Sequence, residues 1–155
     1  MTADRARAMF IYDPATGALI WRSGRLAGRL AGTLKDTGYR QVYVSKLHYP
    51  VHRIIWLMET GAWPSGVIDH IDGHRSNNRW TNLRDVSISV NAQNQKRAMS
   101  NNKTGALGVF VDRGVIRMAI NIDGKQRYFS GFESVDEAHQ AYVKMKRVHH
   151  EGCTL

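Results

Sequence analysis

From Val115 to Ile122 the chain alternates: Ile116, Met118, Ile120 and Ile122 fall on one side, Arg117, Ala119 and Asn121 on the other. That is the period of a strand with one buried face. Asp123-Gly124 follows as a hairpin turn signal, and Lys125 to Phe132 can then return as a further strand. Leu107 to Val111, separated from Val115 by the turn residues Asp112-Arg113-Gly114, supplies the first strand of this group. The pattern next changes period. Ser134-Val135-Asp136-Glu137 is a capping box, after which Ala138, Ala141, Tyr142, Met145 and Val148 recur at helical spacing. A three-stranded antiparallel sheet is expected to bury its aliphatic face on that helix, leaving Arg113, Arg117, Lys125 and Arg127 around the opposite face.

Upstream the elements are shorter. Asp13-Pro14-Ala15-Thr16-Gly17 is a turn signal, Ala18 to Arg22 a short strand, and Tyr39 to Val44 an alternating one. Residues 51–62 predict a helix, with Val51, Ile54, Ile55 and Met58 on one stripe and Gly61 near its stop. A short apolar run then ends in Asp69-His70, and the tract after it is polar and turn-rich through Arg79. Leu83-Arg84-Asp85-Val86 predicts a second strand. A helix is expected from about Ile88, capped by Ser87 or Ser89, with Asn91 in its first turns and Asn94 and Gln95 on the same side. The polar junction Ser100 to Gly105 separates the two patterns, which assigns 1–99 to one domain and 100–155 to a second. The fold class is α+β.

Charge narrows the partners. The 155 residues carry 22 Lys+Arg against 13 Asp+Glu, a net charge of +9, which is the electrostatic footprint of a polyanion binder. The excess is uneven, +7 over 1–99 and +2 over 100–155. Cys153 is the only cysteine, which rules out an intrachain disulfide and a cysteine-rich zinc knuckle. No window reaches the length of a membrane span. A reducing bacterial or phage-infected cytoplasm is the expected setting.

The richest stretch chemically is Val67-Ile68-Asp69-His70-Ile71-Asp72-Gly73-His74, followed by Asn77-Asn78-Arg79 and Asn82-Leu83-Arg84. Asn82 and Asn91 follow Asp69 by thirteen and twenty-two residues. Phosphodiester hydrolysis needs a base to take a proton from water and a cation to stabilise charge on the phosphoryl oxygens and the leaving group. His70 can serve as the base and Asp69 as a cation ligand. An isolated Asp-His pair is more often a solvated turn, and asparagine runs are usually loops; the ordered set is what points to chemistry.

These residues resemble the HNH endonucleases of phage and mobile introns, whose site is a ββα metal finger of the His-Me class, here with its core at about 67–98. The resemblance implies that His70 is the general base and that Asn82 holds the loop and helps orient it. Asn91 stands where the second histidine would be. Asp69 and Asn91 would then hold one metal ion, and such hard oxygen donors favour Mg²⁺, with Mn²⁺ able to substitute. The role of His74 is left open. Residues 100–155, through Gly105-Ala106-Leu107-Gly108-Val109, Gly131-Phe132 and the Glu137-Ala138…Ala141-Tyr142 helix, resemble an AP2 DNA-binding domain, whose sheet lies in the major groove. Together the two resemblances imply a metal-dependent homing-type endonuclease acting on double-stranded DNA. Arg53, Arg75, Arg79, Arg84, Lys96 and Arg97 of the nuclease part and Arg113, Arg117, Lys125 and Arg127 of the sheet are the expected DNA contacts. A DNA-binding regulator that does not cleave is the alternative.

Overall fold

The computed structural model describes residues 1–155, which divide into two compact units, Met1–Ile88 and Ser89–Leu155. Each has its own apolar cluster, and the architecture is α+β. The structural division thus falls before Ser100, where the sequence pattern changes.

The first unit opens with helix α1 (Ala3–Met9), N-capped by Thr2, whose hydroxyl accepts from Arg5 N. Only Ala6 of this helix is buried, so its apolar signal is too weak to announce it. It runs into β1 (Phe10–Asp13), paired antiparallel with β2 (Ala18–Trp21). The turn between them is tied by Asp13, whose carboxylate accepts from Ala15 N at 3.0 Å, and it closes on Gly17 at φ 78°. A Cβ on Gly17 would stand 2.5 Å from the backbone nitrogen of Arg79, so only glycine lets this turn seat against the later loop.

Strands β3 (Thr33–Leu34), β4 (Arg40–Val44) and β5 (Leu47–Pro50) form a three-stranded sheet with β4 in the centre. Helix α2 (Val51–Thr60) follows, ending as expected on Gly61 in the left-handed region. Its predicted stripe is the core: Val51, Ile54, Ile55 and Met58 are all buried, each contributing about 1.5–3 kcal/mol by leaving water. Strands β6 (Val67–His70) and β7 (Leu83–Val86) pair antiparallel, with Asp69 opposite Arg84 and His70 opposite Leu83. Helix α3 (Ile88–Gln93) starts at the unit boundary. It stops before Asn94 and Gln95, which therefore do not extend the helical face bearing Asn91 as expected; Asn94 is instead buried, held by Thr154.

In the second unit β8 (Val109–Asp112), β9 (Val115–Ile122) and β10 (Lys125–Ser130) form a sheet in the order β10-β9-β8. Helix α4 (Val135–His149) opens on Ser134, whose hydroxyl accepts from Glu137 N. Val109, Met118 and Ile120 pack with Ala138 and Tyr142. Gly108, at φ 77°, lies where a Cβ would be 2.2 Å from the Tyr142 ring. The register corrects one expectation. Lys125 is paired with Ile122 and Arg127 with Ile120, and directly opposed residues share a face. The two cations are thus on the helix side of an exposed edge strand, while Arg117 shares the open face with Phe110, Ala119 and Tyr128.

Candidate active site at the end of strand β6

The last two residues of β6 carry the candidate chemistry, and both are buried: Asp69 is 5 % exposed and His70 3 %. Strand alternation sends them to opposite sides, and each meets a different kind of partner. Asp69 Oδ2 accepts from Arg84 through Nε and Nη2, both at 2.8 Å. Their pairing across the ladder sets this contact, so Arg84, expected on DNA, is engaged with the candidate cation ligand.

His70 Nε2 stands 3.0 Å from Asn78 Oδ1 in a buried contact. An amide oxygen only accepts, so this pairing suits the neutral tautomer protonated on Nε2, in which Nδ1 would be the basic nitrogen that a general base requires. Burial, the leading influence, lowers the pKa of His70 against the opposing pull of Asn78 and the nearby carboxylates of Asp72 and Asp69, which favours that neutral form. The imidazole is walled by rings. His52 meets it edge-on at 5.2 Å and Tyr39 lies at 5.8 Å. His52 is itself buried, its pKa pushed down to about 3 chiefly by burial and further by His70 and Arg53. It therefore adds no positive charge beside the base.

Between the two strands, residues 71–82 form a loop whose polar groups are largely consumed internally. Asn82, 7 % exposed, accepts from Asp72 N at 2.9 Å and donates to Asp72 Oδ1 at 3.0 Å and Asn77 O at 2.7 Å. Asp72 also takes Asn77 Nδ2 and His74 N. Burial opposes ionisation of Asp72, but these hydrogen bonds outweigh it and hold its pKa below the usual carboxylate value. The loop is anchored from outside by the N-terminal hairpin: Tyr12 OH donates to Asn78 O at 2.8 Å, Arg79 Nε to Ala15 O, and Trp80 N to Pro14 O. His74 is exposed and within 3.6 Å of Asp72, an ion pair only when protonated.

Two residues were missed in the sequence reading, Asn78 as the partner of His70 and Asp72 as the hub of the loop. Asn78 stood in the Asn77-Asn78-Arg79 motif and Asp72 in the run after His70, but the motif assigned neither of them a role. Arg75 is exposed, donates to Thr37 O at 2.9 Å and lies over the Tyr39 ring; Arg53 lies over Trp63. Asn91 belongs to the second unit, on α3, and is partly exposed. In that unit Lys96 donates to Thr154 O at 3.3 Å and Arg97 is exposed. Arg113, at φ 50°, occupies the β8–β9 turn. Arg117 lies 3.5 Å from Asp112, with its Nε buried and unpaired.

Residues 49–93 match the family model of the HNH endonucleases. The resemblance carried by Asp69-His70, Asn77-Asn78-Arg79, Asn82 and Asn91 therefore holds over the segment that contains them. A solved structure of the HNH homing endonuclease I-HmuI, described as showing its DNA binding and cleavage, aligns over 98% of this chain and 93% of that one, with 20% identity and a TM-score of 0.49. No curated protein matches the chain. No helix is long and apolar enough to cross a membrane.

Proposed function

We propose that the chain is a metal-dependent endonuclease of the homing type that hydrolyses phosphodiester bonds in double-stranded DNA. The observation that carries this reading is the buried His70–Asn78 contact within the HNH-matching segment, which suits the neutral imidazole tautomer protonated on Nε2. The net charge of +9 supplies the general attraction to a polyanion.

In this mechanism His70 Nδ1 takes a proton from water while the water oxygen forms a bond to phosphorus. The bond from phosphorus to the 3′ oxygen breaks, that oxygen takes a proton from solvent water, and the ends left are 5′-phosphate and 3′-hydroxyl, with His70 returning its proton to solvent. Asn78 keeps the imidazole in its tautomer; Asn82 and Asp72 keep the loop closed behind it.

Asp69 and Asn91 are the proposed cation ligands. No group of three or more His, Cys, Asp or Glu side chains is poised around an ion. A buried carboxylate and an amide carbonyl nonetheless fit Mg²⁺ or Mn²⁺, because Mg²⁺ commonly takes one or two protein oxygens and completes its shell with water and substrate phosphate. When bound, one such ion supplies charge stabilisation for the phosphoryl oxygens and the leaving 3′ oxygen.

The second unit, on its resemblance to an AP2 domain, is proposed to add groove contacts. Arg117 is the cation on the open sheet face, while Arg113 at the turn and Lys125 and Arg127 at the edge strand are suited to backbone phosphates. Arg53, Arg75, Arg79, Arg84, Lys96 and Arg97 remain proposed contacts of the nuclease part, which we take as 1–99, in a bacterial or phage-infected cytoplasm. The rival reading, a DNA-binding regulator that does not cleave, draws on the Arg84–Asp69 pair, which occupies an oxygen of the candidate cation ligand.

Nicking of plasmid DNA in Mg²⁺ decides between them. His70→Ala should slow cleavage by about 10²–10⁴-fold, the usual worth of a positioned base, with duplex affinity nearly unchanged, and EDTA should silence the native chain without releasing DNA. Cleavage by His70→Ala at the native rate, or no cleavage by the native chain at any Mg²⁺ or Mn²⁺ concentration, defeats the proposal.

A further inference from the structure

Helix α3 raises a mechanical question. It is six residues long and buries none of them, whereas an isolated helix of that length is unstable in water. What holds it lies some sixty residues later in the same unit. Gly152 N donates to Gln93 Oε1 at 3.0 Å. A Cβ on Gly152 would lie 2.1 Å from the carbonyl oxygen of Val90 and 3.0 Å from Gln93 Cβ, so the two backbones approach as only glycine permits. Just beyond the helix, Thr154 Oγ1 donates to Asn94 Oδ1 at 2.6 Å, and Lys96 Nζ donates to Thr154 O. Lys146, on α4, is 1 % exposed and donates to Gln95 O. A lysine this deeply buried is costly to keep charged and is rarely found without a specific partner. Its partner here is the backbone that leaves α3.

We propose that Gly152, Thr154 and Lys146 are positioning residues for Asn91: they clasp α3 and the turn after it, and thereby set the affinity of the nuclease site for its cation. This rests on the reading above in which Asn91 is a cation ligand. None of the three touches the reacting atoms. Their contacts fix the backbone of the helix from which Asn91 projects, so loosening them leaves the ligands intact but costs order at one of them. It also follows that a chain cut near Ser100, although it keeps every candidate catalytic residue, lacks the support of α3.

The test uses the full chain with Gly152→Ala, which forces α3 to move, and Thr154→Val, which removes the hydroxyl at constant shape; Thr154→Ser is the conservative control. Two quantities are read: the Mg²⁺ concentration giving half-maximal nicking, and Mn²⁺ binding to the DNA-bound protein in a His70→Ala background, followed by water-proton relaxation. The expected result is a rise of about tenfold or more in both cation midpoints for Gly152→Ala and Thr154→Val, with duplex affinity in EDTA unchanged and Thr154→Ser close to native. Lys146→Met should move the midpoints in the same direction. Asn91→Ala is measured alongside. If Asn91→Ala shifts the midpoints and the clasp variants do not, the clasp is not a positioning device. Cation and DNA affinity falling together with thermal stability would overturn it equally, because a purely structural role predicts that. If Asn91→Ala shifts neither midpoint, the ligand reading itself falls and the clasp proposal with it.

Discussion

Two asparagines in different units staple loops in nearly the same way. Asn82 spans residues 71–82 by donating to Asp72 Oδ1 and Asn77 O and accepting from Asp72 N. Asn102 spans 102–109 by donating to Ala106 O and Val109 O and accepting from Thr104 N and its hydroxyl. Each amide uses its donors and acceptor to satisfy backbone groups that no ladder reaches. What differs is the loop's contents. The first begins beside a buried imidazole and returns Asn78 to its Nε2; the second leads into β8 and has no His, Asp or Glu in it. An asparagine-rich tract therefore reports loop mechanics, and its chemistry depends on what the loop is stapled around.

The largest separation between the two should come from removing each staple. Asn82→Ala leaves Asp72 N and Asn77 O without their partner, a cost of about 1–3 kcal/mol for each buried group left unpaired. It should also lower nicking by about ten- to a hundredfold, because the loop behind His70 loosens. Asn102→Ala should cost comparable stability and leave the rate per bound DNA unchanged. Thermal melts beside single-turnover nicking check both; a rate loss from Asn102→Ala equal to that from Asn82→Ala would erase the distinction.

A smaller effect tests the contact that makes the first loop special. Asn78→Ala removes the acceptor that faces His70 Nε2, and on the proposed mechanism nicking should fall by about tenfold. The His70 ring nitrogens, followed by ¹⁵N NMR, should change from one dominant neutral tautomer to a mixture. Retention of both the rate and the single tautomer would mean that other contacts orient the base.

The same contrast explains which parts of the fold are legible in the sequence. Elements with a buried face were legible: β9 runs over the predicted Val115–Ile122, α2 starts at Val51 and stops at Gly61, and β7 occupies Leu83–Val86. Periodicity reports burial, and these elements are held by burial. Helix α1 and strand β5 escaped because one buries only Ala6 and the other has no fully buried residue. The faces of Lys125 and Arg127 were misread because register, set by the Asp123-Gly124 turn, decides them and composition does not. At the site the motif led to His70, Asp69 and Asn82. It was silent on Asn78 as a partner, on Arg84 as the counter-ion of Asp69, and on the clasp from residues 152–154, all contacts between side chains or segments that no local pattern encodes.

The smallest expected effect comes from a third staple, which carries a charge where the other two are neutral. Asp85 takes Ser65 N at 2.8 Å and Ser65 Oγ at 2.9 Å on one oxygen, and Gly66 N at 2.9 Å on the other. It thereby fastens the entry to β6, where Gly66 approaches Val86 O too closely for any Cβ. Burial works against its charge, but these hydrogen bonds and Arg53 outweigh it and hold the folded pKa below the usual carboxylate value. A carboxyl depressed by folding contributes stability above its unfolded pKa of about 4 and loses it as pH falls through the lower folded value. Asp85→Asn should therefore lower the melting temperature modestly at pH 7, by the equivalent of about 1 kcal/mol or less for this partly exposed group, and the deficit should shrink steadily below pH 4. The Asn102→Ala deficit should stay level over the same range, since an amide has no proton to gain. Parallel melts from pH 7 to pH 2.5 separate the two: a deficit for Asp85→Asn as flat as that for Asn102→Ala would show that its hydrogen bonds, and not its charge, hold the start of β6.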